Sequence, residues 1–247
     1  MKQSTKKMFS GIGIAAFVMV ALVLVYAVLF YRTSQAKMVN TLAEISDQSA
    51  KVVRQEVEKN QMMLESLAIL LAQNPSGDIR ELVGELTAVD QANNFKRMGI
   101  VREDGTGYAT DGSDVDARST QVGERFKTAF AGSAFVSDRV PDLIDGEPVT
   151  VYGVPFTAGN GGTYALFGTY STDFYEDSLS VSTFGGSGYS YIIKEDGECV
   201  SGSRNPASLG NLDNFYKEVS AISDTNAQQM DLLREEIAAH KSGSLRY

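Results

Sequence analysis

Met98 to Gly112 reads MGIVREDGTGYATDG. Met98–Val101 is a short apolar run, Glu103-Asp104-Gly105 is a turn, and Gly107–Thr110 is a second β-type run. A charged, glycine-bearing turn between two such runs predicts a hairpin. Asp111–Ser119 reads as a polar loop, and Glu124–Ala131 (ERFKTAFA) as a short helix stopped by Gly132. Three strands are then expected at Ala134–Ser137, Pro148–Val154 and Thr163–Tyr170, with turns at Asp145-Gly146 and Gly159–Gly162. The period of two puts Val149, Val151 and Gly153 on one face of their strand, and Tyr164, Leu166, Gly168 and Tyr170 on one face of theirs. Two strands, a helix and three antiparallel strands make an α+β unit.

Part of this pattern returns. Val101–Gly105 (VREDG) is echoed by Ile193–Gly197 (IKEDG), and Phe126-Lys127 by Tyr216-Lys217. Glu176–Leu179 looks helical, and Phe184–Gly188 (FGGSG) reads as a flexible joint before the second copy. That copy carries extra helix with Met230, Leu232, Leu233 and Ile237 as its apolar positions. Ser242–Tyr247 resembles the approach to a third strand, where the chain stops. A module without its last strands exposes a sheet edge, so the chain is expected to be a fragment of a longer protein. A natural end with a frayed tail is the alternative.

Upstream, Ile79, Leu82, Val83, Leu86 and Val89 share one face of a helix with Asp78 and Glu81 at its start. Pro75-Ser76-Gly77 separates it from Arg32–Asn74, a stretch without glycine or proline. Leu42, Ile45, Val53, Val57, Leu64 and Leu71 recur there at multiples of three to four, which predicts one long amphipathic helix. Its stripe needs a partner: the domain it leads to, a second copy of itself, or both.

Before it, Phe9–Tyr31 (FSGIGIAAFVMVALVLVYAVLFY) holds no charge. A helix of that length spans roughly 34 Å, enough for a hydrocarbon core of about 30 Å. A cleavable signal sequence has a shorter apolar core and a small-residue cleavage site, and Phe30-Tyr31-Arg32 offers none. Lys2, Lys6 and Lys7 are expected to hold the N-terminus in the cytoplasm and send the rest across the cell membrane. The resulting order is 1–8 cytoplasmic N-terminus, 9–31 transmembrane helix, 32–74 stalk and dimerisation helix, 75–180 membrane-distal module, and 188–247 start of a membrane-proximal module.

Net charge is -9 over 247 residues. Setting aside the three N-terminal lysines leaves 19 basic against 31 acidic residues, or -12. Such a surface repels phosphate backbones, so no nucleic-acid partner is expected. The lone Cys199 can form no internal disulfide, and the outer part must rest on its core.

The succession of Met98–Gly112, Glu124–Gly132 (ERFKTAFAG), Val149–Pro155 (VTVYGVP), Tyr164–Tyr170 (YALFGTY) and Gly188–Gly197 (GYSYIIKEDG) resembles the double Cache family. The likeness covers nearly everything after the span. It implies two PAS-like antiparallel-sheet modules, the second incomplete here, of the kind found outside the cytoplasm in bacterial histidine kinases, diguanylate cyclases and chemoreceptors. In that family the first module commonly binds a small ligand between its sheet and short helix, among arginine and aromatic positions. Here the family's arginine ahead of the helix falls on Gly123 and the next aromatic on Arg125, while Phe126 keeps its place. No acidic residue occurs between Leu166 and Ser171, where amino-acid-binding members have one, so the resemblance does not carry an amino-acid ligand to this chain.

Catalytic triads and zinc sites need histidine or several cysteines, and His240 and Cys199 have no visible partner. No enzyme activity, metal or cofactor is expected. Asp111, Asp114 and Asp116 lie close enough to hold calcium but lack its loop spacing, and solvated carboxylates are the commoner reading. Gly185, Gly186 and Gly188 are followed by no Lys-Ser/Thr and suit a hinge. The expected ligand-binding residues are Tyr108, Arg125, Tyr152 and Tyr170, aromatic walls and one cation that orient a small anion or polar metabolite. Against this, the tyrosines merely tile the sheet and Arg125 faces water. The expectation for the whole is a ligand-sensing receptor region whose long helix relays binding to an absent output domain. A membrane-tethered adhesion or assembly protein is the alternative.

Overall fold

The computed structural model describes residues 2–90, 93–118, 120–172, 175–176, 189–202, 208, 212, 214–222 and 227–241. Most of Glu176–Leu179, all of the Phe184–Gly188 joint and the terminal Ser242–Tyr247 lie outside them.

The membrane-type segment and the amphipathic segment are one helix, α1 (Lys2–Ala72). With neither glycine nor proline between Ile14 and Asn74, nothing in the sequence interrupts its hydrogen-bond ladder. From Phe17 to Tyr31 its side chains are exposed, Phe17 at 75% and Leu22 at 65%. Among the described residues this is the one helix long and apolar enough to cross a membrane. At its other end Leu64, Leu67, Ala68 and Leu71 are buried, joined by the half-buried Val53 and Val57. Each buried leucine contributes about 2 kcal/mol. The expected stripe therefore splits: from Val53 onward it packs on the chain's own sheet, whereas Leu42 is 45% exposed.

Pro75 and Gly77 end α1, and Asp78 caps α2 (Ile79–Asp90) by accepting from the Arg80 backbone N–H at 2.9 Å. Ile79, Leu82, Val83 and Leu86 of α2 are buried as expected.

A six-stranded antiparallel sheet follows: β1 (Arg97–Arg102), β2 (Thr106–Ala109), β3 (Asp114–Asp116), β4 (Phe135–Pro141), β5 (Pro148–Thr157) and β6 (Thr163–Ser171), in spatial order β3-β2-β1-β6-β5-β4. Between β3 and β4 lies α3 (Gly123–Phe130). β3 corrects the expected polar loop at Asp111–Ser119. It is three residues long with a single buried apolar side chain, Val115, so no alternation could announce it.

Side chains of alternate parity build two cores. On one face Met98, Ile100, Tyr152, Val154, Leu166 and Tyr170 meet α1 and α2. On the other, Val101, Val149, Val151, Ala165 and Phe167 meet Phe126 and Ala129 of α3. Phe126 stands edge-on to Phe135 and Phe167, with centroids 5.3 Å and 6.1 Å away. Phe167 lies over Gly99, where a Cβ would come within 2.6 Å of its ring and of the Tyr108 carbonyl oxygen.

The sequence echo is also a structural one. Gly105 and Gly197 sit at φ +81 and +85, and each donates its N–H to the residue three back, Arg102 or Lys194, at 2.9 Å. Asp104 and Asp196 accept from the backbone N–H two residues on, at 2.8 Å and 3.0 Å. The second turn joins β7 (Tyr191–Ile193) to β8 (Cys199–Gly202), and α4 (Phe215–Ile222) and α5 (Ala227–Ala238) follow. Tyr216 of α4 is buried as Phe126 of α3 is, beside Val219 and Met230. Leu232, expected to be buried with Met230, is 56% exposed; only Leu233 and Ile237 join that cluster from its neighbourhood.

Candidate ligand-binding site

The sheet divides the four residues singled out from sequence. Tyr108, Tyr152 and Tyr170 lie on the face covered by α1 and α2, and Arg125 lies on α3 across the sheet. They cannot line one pocket. Tyr152 and Tyr170 are fully buried and tile the sheet beneath α1. Tyr108 is half-buried with the Arg80 guanidinium 4.1 Å over its ring, and Arg125 is exposed.

Beneath α1 the tyrosines form a polar patch. Tyr170 donates to Glu56 at 2.9 Å, and the hydroxyls of Tyr152 and Tyr175 are 3.2 Å apart. Asn60 of α1, 2% exposed, lies beside both phenols. Burial pushes the Tyr152 and Tyr170 hydroxyls far above their ordinary values, so both stay neutral. Polar groups buried this deeply hold α1 at a defined height on the sheet, because sliding would strip them of partners.

A second polar cluster pins β1 to the turn after β4. The Arg97 guanidinium reaches Asp142 at 3.0 Å, Asp145 at 2.7 Å and Asp111 at 3.3 Å. Lys96 also donates to Asp145 at 2.8 Å, which, with Arg97, holds that carboxyl well below the usual range. Asp111, Asp114 and Asp116 do not converge on a common point: they face Arg97, Arg80 and Arg118 respectively. Hydrogen bonding to Arg118 holds the Asp116 carboxyl down at about 2. Among the described residues no group of three or more metal-type side chains is gathered.

Arg125 instead opens on a crevice of about 280 Å³ between the start of α3, β4 and the β7–β8 turn. Gln121, Asp138, Arg139, Lys194 and Glu198 line it with Arg125. β4 is bulged between Val136 and Arg139, and the Ser137 hydroxyl takes over the Val151 N–H at 2.8 Å. A bulge breaks the alternation, and here Asp138 and Arg139 are both exposed. Lys194 spans the crevice's acids, 2.7 Å from Glu198 and 3.4 Å from Asp138. Sequence reasoning missed this group. The adjacent charges Asp138-Arg139 in a strand were the signal for the bulge, and Lys194 was already visible as the residue opening the echoed turn.

No family model and no curated protein matches the sequence. Solved structures do match the fold. The ligand-binding domain of the Pseudomonas fluorescens chemoreceptor CtaA, in complex with L-serine, aligns with a TM-score of 0.60 at 15% identity, over 77% of this chain and 82% of that one. That of the Pseudomonas aeruginosa amino-acid chemoreceptor PctC, in complex with GABA, aligns at 0.58 and 20% identity, over 76% and 83%. That of the Campylobacter jejuni chemoreceptor Tlp3, in complex with 4-methylisoleucine, aligns at 0.56 and 13% identity, over 69% and 71%. The fold is that of these chemoreceptor ligand-binding domains.

Proposed function

We propose that this chain is the extracytoplasmic ligand-sensing region of a membrane-bound bacterial receptor. It binds a small molecule in the part built on the six-stranded sheet and relays occupancy through α1 to an output domain on the cytoplasmic side. One observation carries the reading: the helix apolar enough to cross a membrane is the same helix whose far end covers the sensor-type sheet. Any ligand that prefers one arrangement of α1 on the sheet shifts the population of that arrangement at the membrane. Of the four residues expected to touch the ligand, Arg125 is the one that opens on a crevice, and it is retained here; Tyr108, Tyr152 and Tyr170 act on the α1 side.

Pairing of two copies through the membrane-proximal part of α1 belongs to the same proposal. Met38, Leu42 and Val52 are exposed at 40%, 45% and 46%, while the stripe beyond Val53 is taken by the sheet. A Leu42→Cys variant on a Cys199→Ser background is expected to give a disulfide-linked dimer in membranes under mild oxidation. Persistent monomer would remove the pairing.

The orientation is tested by adding protease to intact cells. Loss of the β-rich region with the N-terminus protected is expected. A β-rich region that stays intact until the cells are lysed would end the receptor reading.

A further inference from the structure

The crevice beside α3 joins the six-stranded part to the second hairpin: Arg125 and Arg139 come from α3 and β4, Lys194 and Glu198 from the β7–β8 turn. Its charges are unevenly matched. Lys194 is neutralised by Glu198 and Asp138. The guanidinium groups of Arg125 and Arg139 have no hydrogen bond or ion pair with another described residue, and both are exposed to the crevice. Arg80, Arg97, Arg118 and Arg234 each meet an aspartate, whereas Arg32 and Arg54 of α1 and Arg102 of β1, like Arg125 and Arg139, have no ion pair with another described residue. What sets Arg125 and Arg139 apart is that the two unmatched guanidiniums share one small concavity, in a chain of net charge -9. The bulge in β4 is what turns Arg139 into that space.

We propose that this crevice is an anion site taking a small metabolite with two or more oxyanionic charges, held between Arg125 and Arg139 on one side and Lys194 on the other. The planar guanidinium fork suits carboxylate and phosphate oxygens alike. About 280 Å³ lies at the small end of ligand pockets and limits the guest to a few carbons. Asp138 and Glu198 would repel a guest that approached Lys194 alone, so the charge must be shared with the arginines. Such a guest links β4 to the β7–β8 turn, and its binding energy then depends on how closely those two elements sit. The inference deepens the sensor reading and rests on it for biological meaning, although binding itself is independent of that reading.

The test is calorimetric titration of the full chain in lipid nanodiscs with succinate, citrate, inorganic phosphate and glucose 6-phosphate, each alone, at low and high salt. Saturable binding of at least one anion is expected, weaker at high salt. The succinate and citrate arms against the two phosphate arms decide which oxyanion is preferred. Arg125→Gln and Arg139→Gln are each expected to raise Kd about tenfold or more, and Lys194→Gln to raise it measurably. Arg125 and Arg139 are exposed and make no ion pair with another described residue, so the thermal unfolding midpoints of Arg125→Gln and Arg139→Gln should match the parent and serve as the folding control. No binding by any of the four anions, equal Kd in the arginine variants, or an unchanged Kd in Lys194→Gln would each overturn the proposal. If the anions bind parent and variants alike while protease on intact cells removes the β-rich region, the sensor reading stands and the anion site falls. If the anions bind as expected while protease cannot reach the β-rich region in intact cells, the anion site stands and the sensor reading falls.

Discussion

Arg97 faces three carboxylates, those of Asp111, Asp142 and Asp145. Its partner Asp142 has a fully buried side chain, so removing the guanidinium leaves a carboxylate with little solvent to stabilise it. Arg97→Leu is expected to cost about 3–5 kcal/mol of stability, read from denaturant unfolding, and Asp142→Asn less, because it removes the stranded charge instead of creating one. Asp145 supplies a pH dependence with a fixed sign. Its carboxyl is held down in the folded state, so its pairing stabilises above the ordinary carboxylate value of about 4 and is lost as pH falls through the depressed one. The thermal midpoint of the parent should exceed that of Asp145→Asn at pH 6, and the gap should narrow progressively as pH falls below about 4. A gap that stays constant down to pH 3 would contradict the assignment. Beneath α1, Tyr170→Phe is expected to cost about 1 kcal/mol by leaving the Glu56 carboxylate short of a donor. These partnerships were the least legible in the sequence. Tyr152 and Tyr170 were marked as aromatic residues on a sheet, but nothing in their spacing told which helix would cover their face. Arg125 was marked for its place before Phe126; its neighbours Arg139 and Lys194 are brought to it by a bulge and by a second hairpin more than fifty residues away in the chain.

Elements were easier to read than partners, because periodicity is a local signal. The β1–β2 hairpin, α2, α3 and the β5–β6 pair follow directly from turn glycines and apolar spacing, with boundaries moved by a few residues. β3 escaped because three residues with one apolar side chain carry no period. The α1 stripe was seen but its partner was left open, and the sheet takes the part beyond Val53. Close packing at the sheet gives a prediction at this scale. Gly99→Ala places a methyl group against both the Phe167 ring and the backbone oxygen of Tyr108, and the latter cannot swing away. A loss of about 1–3 kcal/mol is expected in thermal or denaturant unfolding, with β1 and β6 forced apart. A neutral result would mean that the two strands have slack that their register does not suggest.

At the scale of the molecule, the order of elements was legible before any contact was known, and it is this order that the chemoreceptor domains share at 20% identity or less. What ties the second hairpin to β4 was not legible, since it depends on ion pairs such as Lys194 with Asp138. The unbroken course of α1 has a mechanical corollary. Its 71 residues rise roughly 105 Å as a single screw, so the azimuth of its bilayer end is fixed by the azimuth at which Leu64 and Leu71 seat on the sheet. Each added residue turns one end against the other by about 100°. In the receptor proposed above, insertions of increasing length near Ala43 should therefore switch output on and off with the helical repeat instead of fading steadily, as a key works only at certain angles of its lock.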